Sequence, residues 1–394
     1  MYPVSLYIHW PYCARICPYC DFNVTRDRGQ TEIQTRLFEA IRQDLHTQAE
    51  WLGSRYLASV FLGGGTPSLM KPEWVATLID DAKTLFPPQG DIEITLEANP
   101  TDAEIARYQA FREAGINRLS IGIQSLNDQA LKFLGRNHSA REALTGLETA
   151  LSVFDRVSLD LIYALPEQTL HDWQSELTEA ARLGIEHISP YQLGIEPNTA
   201  FGRAARRGTL KPVESEVGEA FYDTTQTVLS SLGFDAYEVS NHAKGPAARS
   251  QHNLNVWEGV DYIGIGPGAH GRLTLPNAHG RPNKEPAHGR LTLSGARHAT
   301  VAESDLKTYI ARVSDHGTGI DREALSAHEA AEEALMLGLR LTEGVRLERL
   351  KDLPLKRAQS LIADGFLGQS DTRLYATPKG RLVLDRLLLE LLYE

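Results

Sequence analysis

The sequence predicts an α/β fold: a partial (β/α)6 barrel followed by a smaller, mostly helical, winged-helix-like domain. Short apolar, β-rich runs alternate with long amphipathic ones through the first half of the chain. Residues able to carry chemistry stand where several of those runs end. From about residue 304 the pattern is helical, apart from one short hairpin-like run.

The candidate strands are Ser5–His9, Ser59–Leu62, Ile92–Glu97, Arg118–Ile123, Ser158–Ile162 and His187–Gln192. Between them lie helical patterns over Glu32–Leu52, Glu73–Leu85, Asp102–Ala114, Ala140–Val153 and Leu170–Leu183. Strands separated by helices of this length read as right-handed β/α units with a parallel sheet. Six units make an open relative of the eight-unit barrel, in which functional residues collect at the C-terminal ends of the strands.

The first domain is expected to span 1–269 and the last 304–394, with 270–303 as a linker or insertion rich in Gly, Pro, His and Asn. The string His-Gly-Arg-Leu-Thr-Leu occurs there at 270–275 and again at 288–293, which suggests a hairpin duplication or an inserted loop. His270, His279, His288 and His298 are loosely spaced, so an exposed polar loop is the main reading and a metal or metal-cofactor site the alternative. The tail reads as helices over Glu332–Leu341 and Lys356–Asp364, a hairpin around Arg373–Pro378 and a final helix. It carries no basic stripe for nucleic acid. The expectation is a cap over the barrel opening, shielding the site or contacting a partner.

Composition narrows the classes. The 394 residues are 42% hydrophobic and 23% charged, proportions that exclude collagen-like and disordered chains. The net charge of -11 argues against non-specific nucleic-acid binding. No run of about 18 uncharged apolar residues is present, so no membrane-spanning helix is expected. The start of the chain lacks the pattern of a signal peptide, and a cytoplasmic location follows as an expectation.

All three cysteines, Cys13, Cys17 and Cys20, fall within eight residues as C-x-x-x-C-x-x-C. An odd number of clustered thiols is not a disulfide framework. Structural zinc needs four ligands, and His9 would complete a Cys3His set. The other reading is an iron–sulfur cluster, held by thiolates. Three thiolates on a [4Fe-4S] cube leave one iron open to a small chelating molecule.

Gly63-Gly64-Gly65-Thr66-Pro67 follows the second strand, and glycines there let the backbone approach a ligand closely. Glu97 ends the third strand, Gln124 the fourth, and Asp160 sits in the fifth. A carboxylate within an apolar strand is costly unless it is paired or hydrogen-bonded. Three polar groups at equivalent positions on successive strands suggest one shared polar ligand, and Arg136 would add a bidentate contact to a carboxylate.

The cysteine spacing, with aromatic Tyr19 before the last thiol, resembles the signature of the radical S-adenosylmethionine (SAM) superfamily. The resemblance implies a [4Fe-4S] cluster on Cys13, Cys17 and Cys20, with SAM chelating the open iron. In that superfamily an electron from the cluster cleaves SAM to a 5'-deoxyadenosyl radical. The chain further resembles the oxygen-independent coproporphyrinogen III oxidase-like branch, from Tyr7 to the C-terminal region. That resemblance assigns Tyr7, Tyr19, Gly65, Thr66, Glu97, Gln124, Arg136 and Asp160 to SAM, and assigns no catalytic residue.

The branch holds an oxidase group and a haem-chaperone group. The oxidase group has a further cysteine where this chain has Phe22, and an N-terminal extension where this chain begins twelve residues before Cys13. The chaperone group has an H-N-x-x-Y-W motif, matched here by His252, Asn253 and Trp257, with Val256 in place of tyrosine. The resemblance therefore implies a haem chaperone with His252 and Trp257 at the haem. An imidazole is a common axial ligand for haem iron, and an indole offers a porphyrin a flat apolar face. Its partner would be a haem-accepting protein, with respiratory membrane proteins as candidates. The second function is radical oxidative decarboxylation of coproporphyrinogen III, and the third a zinc-binding scaffold. The Gly264-Ile265-Gly266-Pro267-Gly268 loop either lines the cofactor cavity or turns the chain.

Overall fold

The computed structural model describes residues 1–276 and 295–393. Six parallel strands stand side by side in chain order: β1 Tyr2–Trp10, β2 Arg55–Gly64, β3 Glu93–Ala98, β4 Arg118–Gln124, β5 Arg156–Tyr163 and β6 His187–Gln192. They form the open barrel that the alternation predicts. One side chain in two points outward and meets the helices: Leu6 and Ile8, Val60 and Leu62, Ile94 and Leu96, Leu119 and Ile121, all almost fully buried. The intervening side chains face the lumen and are largely polar. That split explains why strands buried on both faces still carry Ser, Glu, Asp and His.

Helices α1 Thr31–Leu52, α2 Pro72–Leu85, α3 Ala140–Val153 and α4 Leu170–Ala181 cover the outer face. Capping boxes start two of them, Ser139 with Glu142 for α3 and Thr169 with Asp172 for α4. The helix expected over Asp102–Ala114 is two short pieces, Asp102–Ile105 and Tyr108–Glu113. Tertiary bonds interrupt it. The Glu104 carboxylate turns in to accept from the Asn99 backbone N–H at 2.7 Å, and Arg107 Nη1 reaches the Ser68 carbonyl at 2.7 Å.

The sheet continues beyond β1. A seventh strand, β7 Asp261–Ile265, pairs parallel with β1, and β8 His270–Pro276, β9 Gly295–Ala302 and β10 Ile320–Ala324 follow in antiparallel order. The described parts of the segment expected as a linker are therefore strands of the main sheet. The second copy of its repeat, with His279 and His288, lies outside the described residues. The barrel core also reaches past 304: Tyr309, Ile310, Val313 and Ile320 pack into it, while a second core begins at Ala331. The physical boundary thus lies near 325, because β10 must pair with β9 before the chain can leave the sheet.

The second body holds helix α5 Ala327–Gly338, a small three-stranded sheet and helix α6 Leu384–Leu392. The sequence expectation of a cap over the barrel opening is corrected here. This body docks beside helix Gln251–Trp257 and the turn after it, which leads into the start of β7. Glu258 accepts from Arg373 at 2.7 Å, Arg349 donates to the Glu258 carbonyl at 2.7 Å, and Arg249 meets Glu343 at 2.8 Å. Those charges fix it to the end of the barrel where the strands begin. Among the described residues, no helix is long and apolar enough to cross a membrane.

Helix Gln251–Trp257 closes that end of the lumen. Glu93, at the start of β3, is buried between Arg118 at 3.5 Å and Arg156 at 3.0 Å. Its carboxylate also accepts from the backbone N–H groups of Gln251 at 3.0 Å and His252 at 2.9 Å. Burial works against its charge, but the two guanidiniums and these donors hold its pKa below the usual value. Removing one partner of such a group leaves uncompensated buried charge. Glu93→Ala is expected to cost about 3–5 kcal/mol in denaturant unfolding. A loss below about 1 kcal/mol would show that the floor is not held this way.

Candidate functional site

A cavity of about 370 Å³ opens at the other end of the barrel, where the strands finish. Cys13, Cys17, Cys20, Tyr19, Gly65, Thr66, Glu97, Gln124, Arg136 and Asp160 all line it. Tyr7 lies just beneath: a Cβ added at Gly63 would meet the Tyr7 ring at 3.1 Å and Glu97 Oε2 at 3.2 Å. Segments far apart in sequence therefore converge as expected for strand ends.

The cysteine loop is built by backbone bonds. Gly65 N–H donates to the Trp10 carbonyl and Thr66 N–H to the Tyr12 carbonyl, each at 2.8 Å, tying the glycine loop to the strand that enters Cys13. A Cβ on Gly65 would stand 2.7 Å from Pro11 carbon, so the approach requires glycine. At the far side of the loop, Asn23 Nδ2 donates to the Pro267 and Ser304 carbonyls, both at 2.9 Å. The Gly-Ile-Gly-Pro-Gly turn contributes nothing to the cavity lining; its described role is to buttress the cysteine loop from outside.

His9 is engaged at both ring nitrogens, with Nδ1 3.1 Å from Tyr7 Oη and Nε2 2.8 Å from the Asn23 carbonyl. It braces the loop and does not face the thiols as a fourth zinc ligand. Among the described residues, no three His, Cys, Asp or Glu side chains stand close enough to hold one metal ion. Thiolates that each bind a different iron of a cube stand further apart than the ligands of a single tetrahedral ion.

The lumen below the cysteines is acidic. Burial, then the neighbouring Asp160 charge, pushes Glu97 up to about 8, against one hydrogen bond from Gly64 N–H at 3.2 Å. Burial likewise raises Asp160 to about 6, although Ser120 Oγ donates to it at 3.1 Å. Arg136 is the cation among these acids. Its Nη2 donates to the Gly122 carbonyl at 2.7 Å, its Nη1 lies 3.4 Å from Cys17 Sγ, and its Nε is buried with no partner. A buried cation with an orphaned donor, sharing the cavity with two raised carboxyls, suits a ligand with both a cationic and an anionic end. Gln124 holds a left-handed backbone, φ 73°, rare for a residue with a side chain and often found at functional sites.

Sequence reasoning missed Asn99, Glu104, Tyr191 and Gln192, which also line the cavity. Tyr191 and Gln192 end the sixth strand, so the strand-end rule contained the signal for them. His252 and Trp257 are not brought to this cavity. His252 is 5% exposed in the floor, with Nδ1 3.0 Å from Ser59 Oγ and its ring packed on Phe61. Trp257 lies under Arg340 of the second body.

An open β/α barrel with three cysteines and a glycine loop at its mouth defines a radical SAM protein. Residues 7–179 match the Radical SAM superfamily and residues 325–383 the HemN C-terminal domain. The chain is 38% identical over 405 residues to "Radical S-adenosyl methionine domain-containing protein 1, mitochondrial" of Bos taurus, covering 98% of this chain and 87% of the relative. It is 41% identical over 276 residues to "Heme chaperone HemW" of Escherichia coli (strain K12), covering 70% and 71%. The solved structure of coproporphyrinogen III oxidase (HemN) from Escherichia coli shares the fold, with TM-score 0.79 and 22% identity over 99% of this chain and 90% of that one. The chain belongs to the HemW family of radical SAM proteins, within the oxygen-independent coproporphyrinogen III oxidase-like branch.

Proposed function

We propose that this chain is a haem chaperone that holds a [4Fe-4S] cluster and SAM and delivers haem to an acceptor protein. The observation that carries the cofactor half is the convergence of three thiols, a raised carboxyl pair and an unpartnered Arg136 Nε on one cavity. Cys13, Cys17 and Cys20 would ligate three irons, leaving the fourth for SAM. Glu97 and Asp160 would meet the cationic portion of SAM, Arg136 its carboxylate, and Gly65, Thr66, Gln124, Tyr7 and Tyr19 would complete the wall. When bound, this pair supplies one-electron chemistry. The chain's own residues orient the ligand and keep water from it.

The haem half rests on the similarity to proteins named heme chaperones. His252 and Trp257 remain the residues proposed for haem. In the present conformation His252 is bonded to Ser59 and its backbone to Glu93, so ligation by it requires the floor helix to move. Handling of haem by reduced thiols and a reducible cluster fits the cytoplasm, where thiols stay reduced. The acceptor would be a haem protein, respiratory membrane proteins among them.

Anaerobic titration with haem is expected to give a saturable Soret shift at a fixed stoichiometry, lost in His252→Ala, with haem passing to an apo-acceptor. Turnover of coproporphyrinogen III with SAM and a reductant would overturn the chaperone in favour of the oxidase.

A further inference from the structure

Asn99 stands two residues past Glu97, where β3 leaves the sheet. It connects three parts of the site. Its side-chain carbonyl accepts from Arg136 Nη2, and its amide donates to Thr66 Oγ1 at 3.3 Å. Behind it, Glu104 accepts from the Asn99 backbone N–H at 2.7 Å and from its side-chain amide at 3.4 Å. Glu104 is itself 3% exposed and also accepts from Ser68 Oγ and from Thr101 Oγ1 at 3.2 Å. An acidic group so deeply buried and so fully bonded is a fixed anchor. Ahead of Asn99, the guanidinium is gripped along one edge by Asn99 and the Gly122 carbonyl. The other terminal nitrogen, Nη1, is thereby left 3.4 Å from Cys17 Sγ.

Space reinforces the grip. A Cβ on Gly122 would come within 2.8 Å of Gln124 Nε2, 3.5 Å of Arg136 Nη2 and 3.7 Å of Asn99 Oδ1. No side chain could be added at Gly122 without striking Gln124, and that bare backbone leaves its carbonyl free to take Arg136 Nη2. Asn is the residue type the position needs. Its carbonyl faces a cation while its amide faces two acceptors, and neither Asp nor a shorter side chain offers both.

We propose that Asn99 is a positioning residue which, anchored by Glu104, aims Arg136 at the Cys17 sulfur and so raises the reduction potential of the cluster. Donors to a cluster thiolate stabilise the reduced, more negative state, and such outer partners tune metal sites. The inference rests on the cluster reading above and adds to it a residue that the sequence did not single out.

The test is a redox titration of the reconstituted, full-length protein, followed by electron paramagnetic resonance, with iron content measured in parallel. Asn99→Ala is expected to keep its iron and to shift the cluster to a lower potential, as Arg136→Ala does. In the Arg136→Ala background, Asn99→Ala is expected to add no further shift. Glu104→Gln is expected to give a smaller shift of the same sign, and it stands in if Asn99→Ala loses its cluster. A wild-type potential in Asn99→Ala overturns the proposal, as does one in Glu104→Gln when Asn99→Ala holds no iron. A shift that persists undiminished without Arg136 overturns it as well. A wild-type chain that takes up no iron sinks the cluster reading itself, a result distinct from these.

Discussion

Serine at any one of Cys13, Cys17 or Cys20 is expected to yield a folded chain with its iron and acid-labile sulfide reduced to background. Each thiolate would bond a different iron, so losing one leaves the cube with two protein ligands and opens a second iron to solvent. The fold is expected to survive because the loop is held by groups other than the thiols. Asp27 N–H donates to the Cys13 carbonyl at 2.8 Å, Thr25 N–H to the Pro11 carbonyl at 2.7 Å, and Cys20 N–H to the Cys17 carbonyl at 3.2 Å. Asn23 fastens the far end to Pro267 and Ser304. The cost in denaturant unfolding of the iron-free chain is therefore expected to stay within about 1 kcal/mol. Metal analysis after anaerobic reconstitution reads the result. A serine variant that keeps wild-type iron, or a wild-type chain that takes up zinc in place of iron, contradicts the assignment.

The second large effect concerns pH. In the chain without ligands, Glu97 is pushed up to about 8, from an ordinary glutamate near 4.5. Between those values the folded chain keeps a proton that the unfolded chain has released. Stability is then fully present below about 4.5 and falls as pH rises toward 8. The slope from this group is at most about 1.4 kcal/mol per pH unit. Asp160, raised to about 6, adds the same sign over a lower window beginning at the ordinary aspartate value of 3.8. Glu97→Gln removes the charge, so the variant is expected to gain on the parent as pH climbs from 6 to 8. Chemical denaturation across that range is the measurement.

The same carboxyl links pH to ligand binding. A cation seated beside Glu97 favours its ionised form, so SAM binding below about pH 8 is expected to release a proton. Affinity then rises by up to about tenfold per pH unit and levels off above the raised pKa. Calorimetry in two buffers of different ionisation enthalpy counts that proton directly. Glu97→Gln is expected to bind more weakly and to release none at this site. A parent whose stability and SAM affinity are both flat from pH 6 to 8 would show that Glu97 is already ionised.

Much of this was legible because it is local. Alternation marked all six barrel strands, and the His187–Gln192 strand has the bounds the sequence proposed. The Ala140–Val153 helix likewise matches, its start written in Ser139 and Glu142. Helix Asp102–Ala114 was misread because Glu104 and Arg107 satisfy distant partners at the expense of helical continuity. Asn99 was passed over for a related reason. Its signal, a polar residue beside Glu97, acquires meaning only when Arg136 and Thr66 stand next to it.

The order of β/α units, the three-thiol loop and the family can be read from the chain alone, because side-chain period, cysteine spacing and strand-end motifs are set by residues near one another in it. Folding in three dimensions is what places His252 in the floor, sets the glycine turn at Gly264–Gly268 against the cysteine loop, and docks the second body at the strand-start end of the barrel. Each of those depends on bonds between residues far apart in sequence, such as Asn23 with Ser304 or Ser59 with His252. Partners of that kind are chosen by the curvature of the open sheet and by the segments packed on it, which bring distant residues together in space without leaving any periodic trace in the chain.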